Sequence, residues 1–510
     1  MPGIAGCLGL SKKNDNCIAS TMGLLRNKLS HESFYSIKNV EMKRSHNDGV
    51  IIIDPNVNNL LSGIAYNESL NLCVGFYGEF YGHQLNQVHS GDTIAEIILS
   101  FYEQYGKDFV HKIDGSFILF LADYENDIFL IINDHYASRP LFYTIQNDKL
   151  YFSPEIKGIA CLPKIRKKIN KDAFISFLVN GNLLRDQSYF LNIYPLLPGS
   201  MVKVMKGKVS IENYHQYTLH GDSKDKGESF YIKELSGLLL NAVKKRLHCL
   251  SHTVIPISGG FDSRGILGCV RKITNERINT VSWGTDEITE GGDAKIGRYV
   301  AESLQANHQF IRRNVNSFID DFEEMIYLTD GLTDDPCFHH NELNIMRKIR
   351  FQCNGEYLMR GDEIFGYGGE ASNDLEALAR IGISEVSNYK VIENLLNSSH
   401  LTDYKKKSHE TINSLISECS LKNYLDRKDY FYFYQRLFHY LNRSSYYKFS
   451  VLELQNPWLD KDIMEFYKFV PVKYRLDKYL YKKTLHNMFP ELYSIPFAKV
   501  DSLENWMSIL

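Results

Sequence analysis

The sequence predicts a two-domain α/β protein. An N-terminal sandwich of stacked sheets covered by helices precedes a doubly wound parallel sheet with a helical C-terminal part. Three observations support this prediction. The chain has 510 residues, more than a single hydrophobic core usually organises. Its first 215 residues are rich in strand-like runs. From about residue 230, strand-like and helix-like segments alternate.

The N-terminal part contains β-branched or aromatic runs separated by turn residues. Most of them lack clean alternation of apolar and polar side chains, which predicts strands that are buried on both faces. One amphipathic helix, TIAEIILSFYEQYG, lies among the runs, and Asp92 is its predicted cap. The runs cover residues 49–54, 71–80, 115–124, 127–134, 149–154 and 200–209.

A polar, glycine-containing stretch, LHGDSKDKGESF, predicts the linker between the domains. The predicted boundaries are 1–215 for the first domain, 216–230 for the linker and 231–510 for the second domain. Strand–helix alternation after the linker is typical of a parallel, doubly wound sheet. Beyond about residue 375 the pattern is mostly helical. Its Tyr-rich stretch, residues 429–449, carries little basic charge and predicts helix packing rather than a base-stacking platform.

The amino-acid composition argues against several classes of function. The chain is 44% hydrophobic and 23% charged, as is typical of soluble globular proteins. A net charge of −3 without a long basic block argues against a nucleic-acid partner. Nine cysteines, an odd number without paired or Cys/His ligand spacing, argue against a disulfide framework or zinc site. The sequence has neither a signal-peptide pattern nor an apolar run of about 20 residues, so we expect a cytoplasmic protein without a membrane span.

The most informative stretch is HTVIPISGGFDSRG, which predicts a strand, a tight turn and a helix. Gly259 and Gly260 permit close backbone approach, so that several N–H groups can converge on an anion at the helix N-terminus. Ser258 and Ser263 offer hydroxyls to phosphate oxygens, and Asp262 offers a hard oxygen ligand for magnesium. No Lys follows the glycines, so this is not a GxxxxGK[ST] loop. The alternative is a strand–turn–helix junction that needs glycine for its geometry alone.

A second stretch, GEYLMRGDEIFGYGGE, supports the phosphate-binding interpretation. It has a strand-like lead followed by Gly361, Asp362 and Glu363. Magnesium bound to a triphosphate usually needs carboxylates from separate parts of a fold, and Asp262 and Asp362 supply one each. By itself, Gly-Asp-Glu is a common surface turn.

These residues carry a resemblance to a known family. SGGFDS resembles the SGGxDS signature of the ATP-pyrophosphatase (PP-loop) superfamily, and GDEIFG resembles the metal-binding segment of its asparagine synthetase branch. The resemblance extends over residues 1–500. The N-terminal segments that match in order are EFYGHQLN, FVHKIDGSFILFLAD, NDHYASRPLFY, LYFSPEIKGI and LLPGSMVKV, and the C-terminal ones are NPWLDKDIMEFYKFVP and DKYLYKKTLHNMFPEL.

The resemblance implies an αββα (Ntn-type) class II glutamine amidotransferase domain followed by an ATP-dependent synthetase. Such synthetases use ATP and Mg²⁺ to attach AMP to a carboxylate, release pyrophosphate, and form an amide when a nitrogen nucleophile displaces AMP. By position, the resemblance assigns the cation near the reacting acyl group to Lys499, with Lys482 and Lys483 as further candidates. It assigns adenine recognition largely to main-chain groups near Val281, Ser282, Trp283 and Gly284, and Trp283 serves equally well as a core residue.

The N-terminal half departs from the family. The family begins Met-Cys-Gly-Ile, whereas this chain has Pro2, which offers neither a thiol nor a primary amine. Cys7 lies five residues further along a predicted strand, roughly 17 Å away. The Arg-Gly-Pro-Asp loop expected around 44–50 reads RSHNDGV, and the Asn-Gly-Glu oxyanion turn reads Tyr77-Gly78-Glu79. We therefore expect no glutamine hydrolysis.

The synthetase half departs at two arginines. Arg360 stands where an acidic residue that helps to handle the incoming nitrogen is often found in the family. Arg264 replaces the second Ser of the common Ser-Ser pair, where it either binds an anionic group bidentately or caps surface carboxylates. Free aspartate is therefore a doubtful acceptor.

The leading hypothesis is a glutamine-independent, ATP-dependent amide synthetase that acts on a small-molecule, glycan or peptide carboxylate, for example a surface-polysaccharide uronic acid. Ammonia or an organic amine supplies the nitrogen. The alternative is an intramolecular cyclase of the lasso-peptide or β-lactam type, ranked lower because the sequence shows no convincing Tyr–Glu base pair. A non-catalytic scaffold is a third hypothesis, against which the intact SGGFDS and Asp362 argue. The sequence does not identify the acceptor or the amine. It also leaves the oligomeric state open, and a homodimer is one option.

Overall fold

The structure is a computed structural model. It describes residues 1–11, 18–43, 47–57, 62–81, 93–220, 224–339, 341–362, 369–384 and 398–498. Within these ranges no helix combines the length and apolar character that a membrane crossing requires.

The N-terminal half forms two six-stranded antiparallel sheets. The first has the strand order β10-β8-β9-β1-β3-β2 and the second β12-β11-β7-β6-β5-β4. The strands are β1 Gly3–Gly9, β2 Ser36–Val40, β3 Gly49–Asp54, β4 Ser62–Asn67, β5 Leu72–Phe80, β6 Gly115–Asp123, β7 Ile128–Asn133, β8 Phe142–Gln146, β9 Lys149–Ser153, β10 Tyr194–Pro195, β11 Ser200–Met205 and β12 Lys208–Asn213.

Helices cover the outer faces of this sandwich. They are α1 Ile18–Leu29, α2 Ile94–Tyr105, α3 Ile156–Ala160 and α4 Lys171–Asn180. One apolar cluster fills the space between the sheets, with Ile52 from the first sheet and Phe120 from the second. A separate cluster joins α2 to the outer face of the second sheet, and α1 and α3 pack on the first. This arrangement confirms the predicted αββα stacking.

Two sequence predictions for this half need correction. The run 200–209 is a hairpin rather than one strand, because Lys206 and Gly207 both have positive φ and turn the chain between β11 and β12. The cap of α2 is Thr93, whose hydroxyl accepts from the Glu96 N–H while Glu96 accepts from the Thr93 N–H. The predicted cap, Asp92, lies outside the described residues.

The second half is built on a five-stranded parallel sheet of order β15-β14-β13-β16-β17, as the strand–helix alternation predicts. Its strands are β13 Thr253–Pro256, β14 Asn279–Gly284, β15 Asn307–Arg312, β16 Tyr357–Met359 and β17 Glu453–Gln455. Its α-helices are α5 Glu228–Lys244, α6 Phe261–Ile273, α7 Asp293–Ser303, α8 Phe318–Leu328, α9 Glu342–Gln352, α10 Asp374–Arg380, α11 Ser398–Glu418, α12 Tyr424–Phe431, α13 Tyr446–Phe449, α14 Lys461–Tyr467, α15 Val472–Arg475, α16 Tyr479–Met488 and α17 Pro490–Ser494.

The Tyr-rich stretch is helical, and a π-helix spans Tyr432–Asn442 within it. Tyr432 and Phe433 are buried in the core of the second half. Phe433 stacks on Tyr217 with ring centroids 4.7 Å apart, so aromatic packing joins this helix to the segment that precedes α5.

A buried ion pair joins the two halves. Arg139, which follows β7, donates to Glu453 Oε2 of β17 over 2.7 Å, and both side chains are almost fully buried. The Tyr77 hydroxyl of β5 donates to the other Glu453 oxygen over 2.6 Å. The Arg139 guanidinium also lies over the Tyr77 and Phe449 rings. The N-terminal sandwich is therefore fixed to the edge strand β17 of the second sheet.

We expect Glu453→Ala to lower the free energy of unfolding by about 3–5 kcal/mol, because it leaves Arg139 as a buried charge without its carboxylate. Urea denaturation measures this loss. As a control, Glu290→Ala removes a carboxylate whose side chain is 88% exposed and pairs with Lys295. It should leave the midpoint unchanged. Equal losses in the two variants would contradict a special role for the Glu453 contacts.

Candidate active site

The turn between β13 and α6 forms a compact loop at the carboxyl end of the parallel sheet. The Ser258 hydroxyl accepts from the Gly260 N–H over 3.1 Å and lies 3.2 Å from the Ser263 hydroxyl. Gly260 is the N-cap of α6, so the positive end of that helix faces the loop. The Gly259 N–H donates to Asp293 of α7 over 2.8 Å, a contact that the sequence analysis missed.

Two of the predicted glycines are required by close neighbours. A Cβ on Gly259 would lie 2.5 Å from the Ala498 Cβ, so the C-terminal segment packs directly on the loop. A Cβ on Gly361 would lie 2.4 Å from Nε1 of the buried Trp458. Gly361 also lines the cleft next to the loop, whereas Gly259 stands behind it.

Arg264 has neither of the roles that the sequence suggested. It is fully buried, and its guanidinium donates to five backbone carbonyls. The acceptors are the carbonyls of Gly259 (3.1 Å), Gly260 (3.1 Å), Leu492 (3.0 Å), Ile495 (2.7 Å) and Pro496 (2.7 Å). Arg264 also lies over the Phe497 ring. It therefore ties the C-terminal segment to the loop instead of binding a carboxylate.

Asp262 and Asp362 approach the cleft from different elements. The Tyr481 hydroxyl donates to Asp262 Oδ1 over 2.8 Å. Burial raises the pKa of Asp262 above its usual value, Lys478 and the Tyr481 hydroxyl lower that pKa, and the charge of Asp362 raises it. The two carboxylates are thus close enough to interact. Asp362 pairs with Arg360 over 2.9 Å.

Two of the three candidate lysines lie on the surface of α16. Lys482 and Lys483 are exposed on α16 and border an open surface depression with Phe261. Lys483 pairs with Glu228 over 3.1 Å, away from the carboxylates. Lys478, which the sequence analysis missed, is the cation with the largest effect on Asp262. Lys478 and its neighbour Asp477 both have positive φ. Lys499 lies outside the described residues.

The predicted adenine-binding residues are only partly in the cleft. Ser282 and Trp283 line it. Val281 is fully buried, and its carbonyl accepts from the Ile257 N–H, while the Gly284 carbonyl accepts from the Arg313 N–H. Val281 and Gly284 therefore shape the end of β14 rather than face the cleft. The Ser282 hydroxyl lies 3.0 Å from His308, an imidazole whose pKa is lowered to about 4 by burial.

A buried charge cluster forms the wall opposite the loop. Glu342 lies 3.2 Å from Lys448, 3.2 Å from His339 and 3.8 Å from Arg313, and the Tyr447 hydroxyl donates to it. Burial opposes ionisation of Glu342, but Lys448 and His339 hold its pKa well below the usual range. This wall was not predicted, because its members come from separate parts of the chain.

The cleft has a volume of about 360 Å³ and its polar lining suits a phosphorylated ligand. Ser258, Gly260, Asp262, Ser263 and Gly361 line it, and Asp362 lines the adjoining cavity. Within the described ranges no group of three or more His, Cys, Asp or Glu side chains is arranged to hold a metal. Two carboxylates fit a magnesium ion that takes its other ligands from phosphate oxygens and water.

The N-terminal half begins with a buried segment. Pro2 is buried, and Cys7 lies in the central strand β1, fully buried. Tyr77 and Glu79, at the predicted oxyanion turn, contact the second half through Glu453 and Gln455. In the expected arginine loop, residues 44–46 lie outside the described residues.

Comparisons with known proteins agree with this division. Residues 1–215 match a family described as a glutamine amidotransferase domain, and residues 234–493 match the asparagine synthase family. The solved structure of an allosteric regulatory enzyme of purine biosynthesis is similar to this chain at 10% sequence identity and a TM-score of 0.31. The match covers 61% of this chain and 80% of that enzyme's chain. That likeness is too distant to bear on function.

Three curated relatives are similar over part of their length. A putative glutamine-hydrolyzing asparagine synthetase of Methanocaldococcus jannaschii is 26% identical over 52% of this chain and 52% of its own length. Amidase chyE of Penicillium rubens is 24% identical over 49% of this chain and 40% of its own length. A glutamine-hydrolyzing asparagine synthetase of Bacillus subtilis is 24% identical over 48% of this chain and 35% of its own length. The alignments thus span about half or less of these relatives. Because the asparagine synthase match covers half of the chain, the chain belongs to that family.

Proposed function

We propose that the protein is an ATP-dependent amide synthetase that adenylates a carboxylate and transfers the acyl group to ammonia or an organic amine. One observation carries this proposal. The Ser258–Ser263 loop and Asp262 line one cleft at the carboxyl end of a parallel sheet, and Asp362 lines the cavity that adjoins it. Membership of the asparagine synthase family supports ATP as the cofactor.

The loop and the carboxylates would divide the work of phosphate binding. The Gly260 N–H, the hydroxyls of Ser258 and Ser263 and the N-terminus of α6 would bind phosphate oxygens. Asp262 and Asp362 would hold Mg²⁺, which neutralises the charge on the departing pyrophosphate when bound. The polar walls would align the acceptor carboxylate with the α-phosphorus.

Lysines at the C-terminal edge would balance the remaining negative charge. Lys478 is the cation that most affects Asp262. Lys499 keeps the role that the family resemblance gives it, as the proposed cation near the reacting acyl group. Lys482 and Lys483 lie further out and would attract the nucleotide rather than touch the reacting atoms.

The nitrogen would not come from glutamine hydrolysed by this chain. Pro2 lacks a nucleophile, and Tyr77 of the would-be oxyanion turn is bonded to Glu453. A polysaccharide uronic acid or an acidic peptide side chain is the proposed acceptor, and a cytoplasmic location remains a prediction. An intramolecular cyclase remains the alternative, distinguished by an acceptor that carries its own amine.

We expect Asp262→Ala and Asp362→Ala to reduce ATP–pyrophosphate exchange at least about 100-fold, since each removes a ligand of the metal–phosphate complex. The assay uses radiolabelled pyrophosphate and a panel of uronic acids and acidic peptides. Asp320→Ala, on the exposed face of α8, is the control and should keep full exchange. Exchange that survives in both site variants would refute the assignment, and absence of ATP binding and exchange in the wild type would favour a scaffold.

We expect the purified protein to release no glutamate from glutamine, because Pro2, which precedes β1, offers neither a thiol nor a primary amine. A coupled glutamate dehydrogenase assay measures the release. Deletion of residues 1–7 serves as the control. Glutamate release that disappears on this deletion would contradict the proposal.

We expect Tyr481→Phe to shift the acid limb of Mn²⁺·ATP binding to higher pH. The hydroxyl stabilises ionised Asp262, so its loss raises the pKa of that carboxyl further, and binding is lost earlier as pH falls. A shift of about one pH unit corresponds to a typical hydrogen bond to a charged group. Tyr493→Phe is the matched control, because that hydroxyl donates to the Phe261 carbonyl over 3.1 Å. Equal shifts in both variants would contradict this role of Tyr481.

A further inference from the structure

A second cavity adjoins the cleft at the boundary between the two halves. It has a volume of about 60 Å³, enough for a small polar group but not for a sugar or a nucleotide. Tyr81, Ser116 and Ser138 line it from the N-terminal half, and Asp362 and Ser445 from the second half. The cavity thus places surface of the N-terminal sandwich beside one of the two carboxylates.

Arg360 lines both the cleft and this cavity. Its backbone N–H donates to the Gln455 carbonyl over 2.9 Å, which fixes its Cα against β17. Its guanidinium forms an ion pair with Asp362, with 2.9 Å between Nη2 and Oδ2, and donates to the Ser445 hydroxyl. The side chain is 20% exposed. It therefore has room to exchange partners between the two spaces.

The contact with Asp362 conflicts with metal binding. A magnesium ion binds carboxylate oxygens at about 2.0–2.1 Å, and a guanidinium paired with the same oxygen would face that cation at short range. Two like charges at such a distance repel strongly in a partly buried site. Asp362 Oδ2 can therefore serve either Arg360 or the metal, but not both in this geometry.

We propose that Arg360 masks Asp362 until a metal–nucleotide complex displaces it, and that the freed guanidinium then binds the carboxylate of the acceptor. This inference rests on the proposed function and adds an order of binding, nucleotide before acceptor. The planar guanidinium matches a carboxylate with two parallel hydrogen bonds. Arg313 and Lys448 on the opposite wall already share Glu342, which leaves Arg360 as the cation that metal binding releases.

The first test measures metal affinity without turnover. Mn²⁺ is titrated in the presence of α,β-methylene-ATP, and free Mn²⁺ is followed by electron paramagnetic resonance. We expect Arg360→Gln to bind Mn²⁺ about two- to five-fold more tightly than the wild type, because no ion pair has to break. Arg360→Lys should lie between them. Ser445→Ala, which removes the other acceptor but keeps the ion pair, should not show the gain of Arg360→Gln.

The second test follows the guanidinium itself. Phenylglyoxal labelling of Arg360, quantified by peptide mass spectrometry, should increase at least two-fold when Mg²⁺ and α,β-methylene-ATP are added. Acetate at 100 mM, used as the carboxylate probe, should then protect Arg360, whereas chloride at equal ionic strength should not. Without nucleotide, acetate should give no protection.

The outcomes separate this inference from the proposed function. Unchanged or weaker Mn²⁺ binding in Arg360→Gln, or labelling that does not rise with the metal–nucleotide complex, overturns the displacement of Arg360. Equal protection by acetate and chloride overturns carboxylate recognition. If Mn²⁺·nucleotide binds neither the wild type nor any variant, the proposed function fails and this inference fails with it.

Discussion

The end of the second half that carries the Ser258–Ser263 loop depends on the buried Arg264 guanidinium. It donates hydrogen bonds to five backbone carbonyls, two in the Ser258–Ser263 loop and three in residues 492–496. A buried cation is tolerated when oriented dipoles replace its hydration, and carbonyl oxygens supply them here. The loop and the C-terminal segment therefore behave as one unit. The same unit presses Ala498 against Gly259, which explains why a loop proposed to bind phosphate must have glycine at that position.

The two halves meet at the strand that supports the second carboxylate. Glu453 and Gln455 of β17 contact the N-terminal sandwich through Arg139, Tyr77 and Glu79. β17 also pairs with β16, whose chain continues into Arg360 and Asp362. The sandwich thus braces the strand pair from which Asp362 projects. This mechanical role requires packing and buried ion pairs but no N-terminal nucleophile, so the sandwich has a reason to persist beside Pro2.

Local sequence patterns predicted much of this architecture. Buried runs gave β3 and β9 almost to the residue, and SGGFDS gave the turn into α6, because these features depend on neighbours in the chain. Arg264, Lys478 and Glu342 were missed or misjudged. Their roles come from partners far away in sequence, as Arg264 shows with carbonyls more than 220 residues distant. Val281 was misplaced for a related reason, since only the sheet register shows that its carbonyl is already bonded.

The two carboxylates of the cleft are held in electrically different ways. Asp262 accepts from the neutral Tyr481 hydroxyl, whereas Asp362 is neutralised by the Arg360 cation. Two bare carboxylates facing each other would repel, and the charge of Asp362 does raise the pKa of Asp262. Pairing one of them with an arginine relieves that repulsion while the other stays available. A divalent cation relieves it for both, so the proposed metal–nucleotide complex would replace the arginine in the same electrostatic role.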